Sequence, residues 1–141
     1  MIDKQPSETP SSVREARCSC GRLRLRAHGE PTRVSVCHCL ACQMRTGSAF
    51  GVQARFARAD VTTEGAASVY VRTAHSGNTI TYHFCPACGA TLWYRLDRLP
   101  DVVAVPVGAF ADPRFPPPRF SVWESRRHAW AGVPVDVEHH D

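Results

Sequence analysis

The chain has 141 residues, 43% of them hydrophobic, which is enough to bury one ordinary core but too little for two comfortable domains. Its formal net charge is +4, and the basic residues are dispersed without a block of like charges, which argues against a nucleic-acid partner. No stretch reaches the roughly 18 apolar residues of a membrane-spanning helix, so no membrane partner is predicted.

The N-terminal segment, residues 1–15, is polar and contains Pro6 and Pro10. A secretory signal peptide would need an apolar run here, and the segment has too few apolar groups to offset the entropy of ordering it. We therefore predict a flexible tail over 1–15, one folded domain over 16–135 and a C-terminal tail over 136–141.

The folded region is predicted to be mainly β and mostly antiparallel. Strong β formers recur in short runs, and no window of helical length shows a clean apolar stripe. The alternation of polar and apolar residues over 22–27 indicates a half-buried strand, and Ser76, Gly77 and Asn78 are typical of a hairpin turn. The prolines within 112–118 exclude a sheet ladder there. Further strands are predicted over 49–56, 69–72, 79–84, 91–96 and 102–107, and residues 34–36 lead into the densest cysteine cluster.

Two short motifs share one pattern, a pair of closely spaced cysteines followed by a glycine: C-S-C-G from residue 18 and C-P-A-C-G from residue 85. In such a knuckle, loop amides donate to the thiolate sulfurs and the glycine takes the positive φ that a side chain would resist. Four thiolates complete a tetrahedral zinc ion and leave no position for a substrate, so this site is predicted to be structural. Its ligands are predicted to be Cys18, Cys20, Cys85 and Cys88.

The remaining cysteines, Cys37, Cys39 and Cys42, form the densest ligand cluster in the chain. Cys37 and Cys39 share one face of an extended segment, and Cys42 follows at the spacing of a tight turn, so three sulfurs can converge on a second ion. His38 points to the opposite face of that segment and is predicted not to be a ligand. His75 and His83 remain open as distant fourth ligands.

A zinc ion held by three thiolates has a net negative site charge, so it acidifies water less effectively than one held by neutral histidines. A soft, thiolate-rich metal with an exchangeable position instead suits an incoming sulfur ligand, which it keeps as a nucleophile or leaving group. The cluster therefore predicts thiol activation rather than hydrolysis.

The order of motifs, C-x-C-G, C-H-C-x-x-C and F-C-P-x-C-G, resembles the glutathione-dependent formaldehyde-activating enzyme family, which includes the centromere protein V-like domain. The similarity extends to T-G-S-A-F from residue 46, A-T-L-W from residue 90 and V-W-E-S-R from residue 122. The resemblance implies a β-tent (Mss-four-like) fold of antiparallel sheets stapled by the four-cysteine zinc site.

The resemblance also implies a function. Carried over by position, Cys37, Cys39 and Cys42 would hold a catalytic zinc and the other four cysteines a structural one. The activity would be that of a carbon-sulfur lyase, an S-(hydroxymethyl)glutathione synthase-like enzyme that joins formaldehyde to the glutathione thiol. Arginines would receive the substrate carboxylates, and Arg45 and Arg126 are the predicted contacts, with Arg127 a further candidate.

Other readings of the same residues stay open. Trp93, Tyr94, Trp123 and Trp130 fit either a pocket wall or the core, and Glu124 fits either acid-base catalysis or a solvated strand edge. The alternatives to an enzyme are a non-catalytic zinc module for protein or nucleic acid, and a thiol redox switch. Cysteines in tight pairs and an odd total of seven favour reduced thiols, and hence a cytoplasmic protein.

Overall fold

The computed structural model describes residues 12–132 and 136–141. Over these residues the chain forms eleven strands and one α-helix, α1 (Leu40–Thr46), with short 3₁₀ turns between some of them. The strands are β1 (Val13–Arg17), β2 (Arg24–His28), β3 (Arg33–Cys37), β4 (Gly51–Ala57), β5 (Val61–Glu64), β6 (Ser68–Thr73), β7 (Thr79–Phe84), β8 (Thr91–Leu96), β9 (Val102–Pro106), β10 (Phe120–Val122) and β11 (Glu138–His139).

The strands form two sheets. The smaller has three strands in the order β1-β2-β5, and the larger has eight in the order β11-β10-β3-β4-β9-β8-β7-β6. All pairs are antiparallel except that β10 runs parallel to both β3 and β11. The sheet class predicted from the sequence, mainly β and largely antiparallel, is confirmed.

One buried cluster contains side chains from both sheets, so the two sheets pack against each other. Leu23 and Leu25 come from the chain around β2, and Phe56, Leu92 and Val105 come from the larger sheet, all at most 1% exposed. Burial of a side chain of this size stabilises the folded state by about 2 kcal/mol. Cys18 and Cys85 belong to the same cluster, which places the four-cysteine motifs at the junction of the sheets.

Helix α1 was not predicted from the sequence, because its seven residues are shorter than any window in which a helical stripe is visible. The capping residues at its two ends explain why the helix forms. Cys39 caps the first turn by accepting from the Cys42 amide, and Gly47 ends the helix in a left-handed conformation with φ 69°. Within residues 12–132 and 136–141, no helix is long and apolar enough to cross a membrane.

The structure describes a short strand near each end of the chain. Strand β1 begins at Val13, inside the segment assigned to the N-terminal tail, because it pairs along its whole length with β2. In the predicted C-terminal tail, Glu138 and His139 pair with β10. Residues 1–11 of the predicted tail lie outside the described residues, and the three-part division of the chain stays a prediction.

Candidate metal centres

The four cysteines predicted to share one ion do converge. Their sulfurs lie within 4.8 Å of one another, and the sulfur of Cys20 is 3.7 Å from that of Cys18 and 3.6 Å from that of Cys85. A tetrahedral zinc ion with Zn–S bonds of about 2.3 Å requires sulfur–sulfur distances of about 3.8 Å. The donor set therefore fits a four-thiolate metal site that joins positions 65 residues apart.

Each half of this four-cysteine cluster is a tight loop that ends in a glycine of positive φ. Gly21 has φ 80° and donates to the Cys18 carbonyl over 3.0 Å, and Gly89 has φ 81° and donates to the Cys85 carbonyl over 2.8 Å. A residue with a Cβ adopts such a φ only at an energetic cost. The glycines thus fold both loops back so that their cysteines face one point.

Backbone amides also point at the sulfurs of this cluster. Leu23 donates to the Cys18 sulfur over 3.2 Å, and Ala87 donates to the Cys85 sulfur over 3.4 Å. An amide donor at Ala90, and then one at Cys20, lower the pKa of Cys88 to about 6. Thiolates are the form in which cysteine binds zinc, so these amide donors favour the ligating state of Cys88.

The second cluster lies at the start of α1. Cys37 is the last residue of β3, Cys39 caps the helix and Cys42 is in its first turn, and the three sulfurs lie within 4.8 Å of one another. The Cys42 amide donates to the Cys39 sulfur over 3.3 Å. Cys37 is 6% exposed while the other two are half-buried, so the cluster is open to solvent on one side.

Without a cation, ionisation of one sulfur in this cluster disfavours ionisation of its neighbours. Hydrogen bonds from Cys37 and then Cys42 lower the pKa of Cys39 to about 2, whereas the hydrogen bond with Cys39 raises the pKa of Cys37 above its usual range. Three thiolates at this separation repel each other strongly unless a divalent cation neutralises them. The arrangement is therefore suited to a metal ion.

None of the described histidines or carboxylates joins either cluster. His38, which lies between two of the cysteines, is fully buried and turned to the other side, as its position in an extended segment predicts. His83 stacks on Trp93 with ring centroids 4.6 Å apart. Three protein donors leave a tetrahedral ion one position for an external donor.

A network of hydrogen bonds fixes the His38 side chain on the face of the loop that points away from the three sulfurs. Ser121 donates to Glu124 Oε2 over 2.6 Å, so its oxygen is left to accept from His38 Nε2 over 3.2 Å. His139 donates to the same carboxylate oxygen over 2.7 Å. Burial lowers the pKa of His38, which keeps its ring neutral. The network ties the loop of the three-cysteine cluster to β10 and β11.

A pocket of about 330 Å³ lies beside the three-cysteine cluster. Helix α1 contributes Met44 and Arg45, and the edge of the larger sheet contributes the other walls. The pocket and the cluster meet at Gly51, where an added Cβ would lie 3.0 Å from Arg45 Nη2 and 3.4 Å from Cys42 Cβ. The lining residues from the sheet are Tyr70, Arg72, Tyr82, Phe84 and Thr91.

Two arginines give this pocket its charge. The Arg45 guanidinium lies over the rings of Tyr94, at 5.3 Å, and Tyr82, at 6.0 Å. Arg72 Nε donates to the Tyr82 hydroxyl over 3.3 Å. Burial would lower the pKa of Arg72, but this hydrogen bond and the charges of Cys39 and Cys42 raise it. The pocket is thus electropositive next to the thiolates.

Of the residues predicted to contact substrate, Arg45 lies in the pocket and Arg126 does not contribute to its lining. The side chain of Arg126 is exposed, and its carbonyl accepts from Gln43 of α1 over 3.1 Å. Trp93 and Tyr94 are buried, while Trp123 and Trp130 are 51% and 75% exposed. Substrate contact by any of them stays a prediction.

Sequence reasoning missed Arg72 and Tyr82, which no motif marks. The signal available was the strand period, because Tyr70 and Arg72 share one face of β6 and the register places Tyr70 opposite Tyr82 and Tyr82 opposite Tyr94. That row of tyrosines could have been recognised only with the strand pairing known.

Comparison with known proteins agrees with this geometry. The family model of the glutathione-dependent formaldehyde-activating enzyme matches residues 13–126, a segment that contains all seven cysteines. A search of curated proteins found no match. Among solved structures, the chain is similar to a Rhodobacter sphaeroides protein from a structural genomics programme, with a TM-score of 0.56 and 20% identity over 71% of this chain and 92% of that one. That likeness supports the fold, and the family model, which spans most of the chain, shows that the protein belongs to the glutathione-dependent formaldehyde-activating enzyme family.

Proposed function

We propose that the protein is a zinc-dependent carbon-sulfur lyase that forms and cleaves the adduct of formaldehyde with a small thiol, glutathione being the candidate that the family suggests. The observation that carries this proposal is the three-cysteine cluster, which opens beside an electropositive pocket. Seven free cysteines fit a reducing compartment, so we place the activity in the cytoplasm.

In this proposal the two clusters have different roles. Cys18, Cys20, Cys85 and Cys88 would hold a structural zinc, and Cys37, Cys39 and Cys42 a catalytic one. A zinc ion in the second site would supply an electrophilic position that lowers the pKa of a substrate thiol. The three cysteines would fix the direction from which a sulfur can approach, and the solvent-facing side of the cluster would admit it.

The reaction itself needs little from the protein. A thiolate sulfur adds to the carbonyl carbon of formaldehyde, a carbon–sulfur bond forms, the carbonyl π bond breaks, and the proton lost from the thiol ends on the oxygen. The chain contributes orientation, since Arg45 and Arg72 can hold an anionic part of the thiol while its sulfur faces Cys42.

The test is exchange spectroscopy by NMR on zinc-loaded protein with formaldehyde and glutathione. We expect faster exchange between hydrated formaldehyde and the S-hydroxymethyl adduct, abolished by Cys42→Ala and unchanged by Arg114→Gln, which alters an exposed residue outside the pocket. Two tightly held zinc ions with no acceleration for any small thiol would contradict the proposal and favour a non-catalytic zinc module.

A further inference from the structure

The pocket beside the three-cysteine cluster holds two arginines that pair with no carboxylate of the described residues. Among the described residues, Arg45 Nε and Nη2 are buried and form no hydrogen bond, and the side chain of Arg72 donates to a phenol rather than a carboxylate. Within the described part of the chain, neither arginine has a carboxylate oxygen within 4.0 Å. A buried guanidinium left unpaired is costly, so the pocket favours an anion.

The guanidinium group of Arg45 is positioned by its neighbours in the absence of a ligand. Its guanidinium stacks over Tyr94, which is 8% exposed, and reaches the space above Gly51 that a side chain would otherwise occupy. Because Nε and Nη2 are buried, Nη1 is the guanidinium nitrogen left to donate to an anion in the pocket. The anion would then lie on the same side of α1 as the Cys42 sulfur.

The rest of the pocket is mainly apolar or aromatic. Ala41, Met44, Tyr70 and Phe84 line it with the hydroxyl-bearing Thr91, and among the described residues no carboxylate or amide side chain contributes to the lining. A ligand with an ammonium group, such as the γ-glutamyl end of glutathione, would find no acceptor of opposite charge on these walls. A volume of about 330 Å³ fits a ring-sized apolar body with a short charged arm.

We propose that this pocket selects a thiol with an apolar body and a single carboxylate, which pairs with Arg45 and Arg72 while the sulfur faces the three-cysteine cluster. This assignment has two halves. The thiol half, that the ligand carries a thiol, rests on the proposed function, and the carboxylate half, that it carries a single carboxylate, rests on the pocket alone. Arg72 and Tyr82 are then specificity-determining residues. A polar tripeptide thiol is a poorer fit to these walls than an aryl-substituted mercapto acid.

The carboxylate half is tested without turnover, by calorimetric titration of zinc-loaded protein with 3-phenylpropionate, its amide and 2-phenylethylamine. We expect the acid to bind at least about tenfold more tightly than the amide, and Arg72→Gln to remove that difference. Arg114→Gln is the matched control, and thermal melting checks that both variants fold. Equal binding of acid and amide, or an unchanged preference in Arg72→Gln, would overturn the assignment.

The thiol half is tested by formaldehyde exchange with three thiols: 2-mercapto-3-phenylpropanoate, 2-phenylethanethiol and glutathione. We expect kcat/KM to be highest for the mercapto acid, by about tenfold over each of the others, and Arg72→Gln to abolish its advantage over 2-phenylethanethiol. Equal rates for the acid and the neutral thiol, or a preference for glutathione, would overturn the inference while leaving the lyase activity in place. Arg72-dependent binding of the acid without turnover of any thiol would overturn the proposed function while supporting the carboxylate site.

Discussion

At the scale of single residues, the two cysteine clusters are set by local features of the chain, whereas the pocket beside the second cluster is assembled by strand pairing. Spacing and glycine placement predict which cysteines converge, because both are local properties of the chain, and the structure brings the same two groups together. Arg72 became visible only through the pairing of β6 with β7. Its neighbours in space are distant in sequence, so no local pattern marks it.

Gly51 tests how closely the pocket and the three-cysteine cluster are joined. In Gly51→Ala the new Cβ would meet Arg45 Nη2 at 3.0 Å, so we expect the guanidinium to shift and 3-phenylpropionate to bind about fivefold more weakly. Stability should change by no more than about 1 kcal/mol, because the atom that yields is the end of a flexible side chain. Calorimetric titration measures the affinity.

The control is Gly108→Ala, where an added Cβ meets no atom within 4 Å. Weakening of the same size in this variant, or full affinity in Gly51→Ala, would show that Gly51 does not position Arg45.

At the scale of elements, the strands that were predicted well are those with local signals. The bounds of β7 and β8 match the predicted ranges. The signals for them, polar and apolar residues in alternation and the residues of a hairpin turn, lie within or next to these strands in the sequence. Strands β10 and β11 have three and two residues and exist through parallel pairing with distant partners. Helix α1 is short, and it is stabilised at its two ends by the capping residues Cys39 and Gly47. Such long-range and end effects are invisible to periodicity.

Glu124 tests the network that ties β10 and β11 to the three-cysteine loop. The hydrogen bond from Ser121, and then that from His139, lower the pKa of Glu124, so the folded state favours the ionised form. The resulting stability is fully present above the unfolded-state pKa of about 4.3 and is lost as pH falls through the folded value. Glu124→Gln should therefore be about 1 kcal/mol less stable at pH 7, with the difference closing below about pH 4.

Urea unfolding of both proteins across this pH range measures the difference. Glu64→Gln, on an exposed position of β5, is the control and should match the wild type throughout. A Glu124→Gln deficit that does not depend on pH would mean that the carboxylate acts through packing rather than charge.

Gly65 tests the approach of the chain after β5 to the first cysteine loop. Its φ is 104°, and an added Cβ would lie 2.2 Å from the backbone oxygen of Arg22, so Gly65→Ala requires the backbone to move. We expect a loss of about 3 kcal/mol or more in the free energy of unfolding.

Gly29→Ala separates the two causes, because Gly29 has φ 82° and no atom within 4 Å of the added Cβ. It should lose only about 1 kcal/mol, the cost of the left-handed conformation. Equal losses in the two variants, measured by urea unfolding, would remove the contact with Arg22 as the cause.

At the scale of the whole molecule, the four-cysteine cluster joins the knuckle between β1 and β2 to the one between β7 and β8. The binding free energy of a structural zinc ion, about 10 kcal/mol or more, is comparable to the entire stability of a small domain. We therefore expect chelation under reducing conditions to release zinc in two steps. The first step, from the three-thiolate site, should leave the far-ultraviolet circular dichroism intact, and the second should unfold the chain.

A colorimetric zinc indicator and circular dichroism recorded on the same sample follow both steps. If structure is lost in proportion to the first zinc released, the three-cysteine site also supports the fold.

The division of labour between the two clusters is tested most directly by measuring zinc content and thermal stability of Cys42→Ala and Cys88→Ala side by side. We expect two zinc ions in the wild type. Cys42→Ala should keep one zinc ion and a cooperative melting transition while losing formaldehyde exchange, because its fold depends on the other cluster. Cys88→Ala should lose the folded state itself. Equal loss of fold in the two variants, or a single zinc ion in the wild type, would contradict the assignment of one structural and one catalytic site.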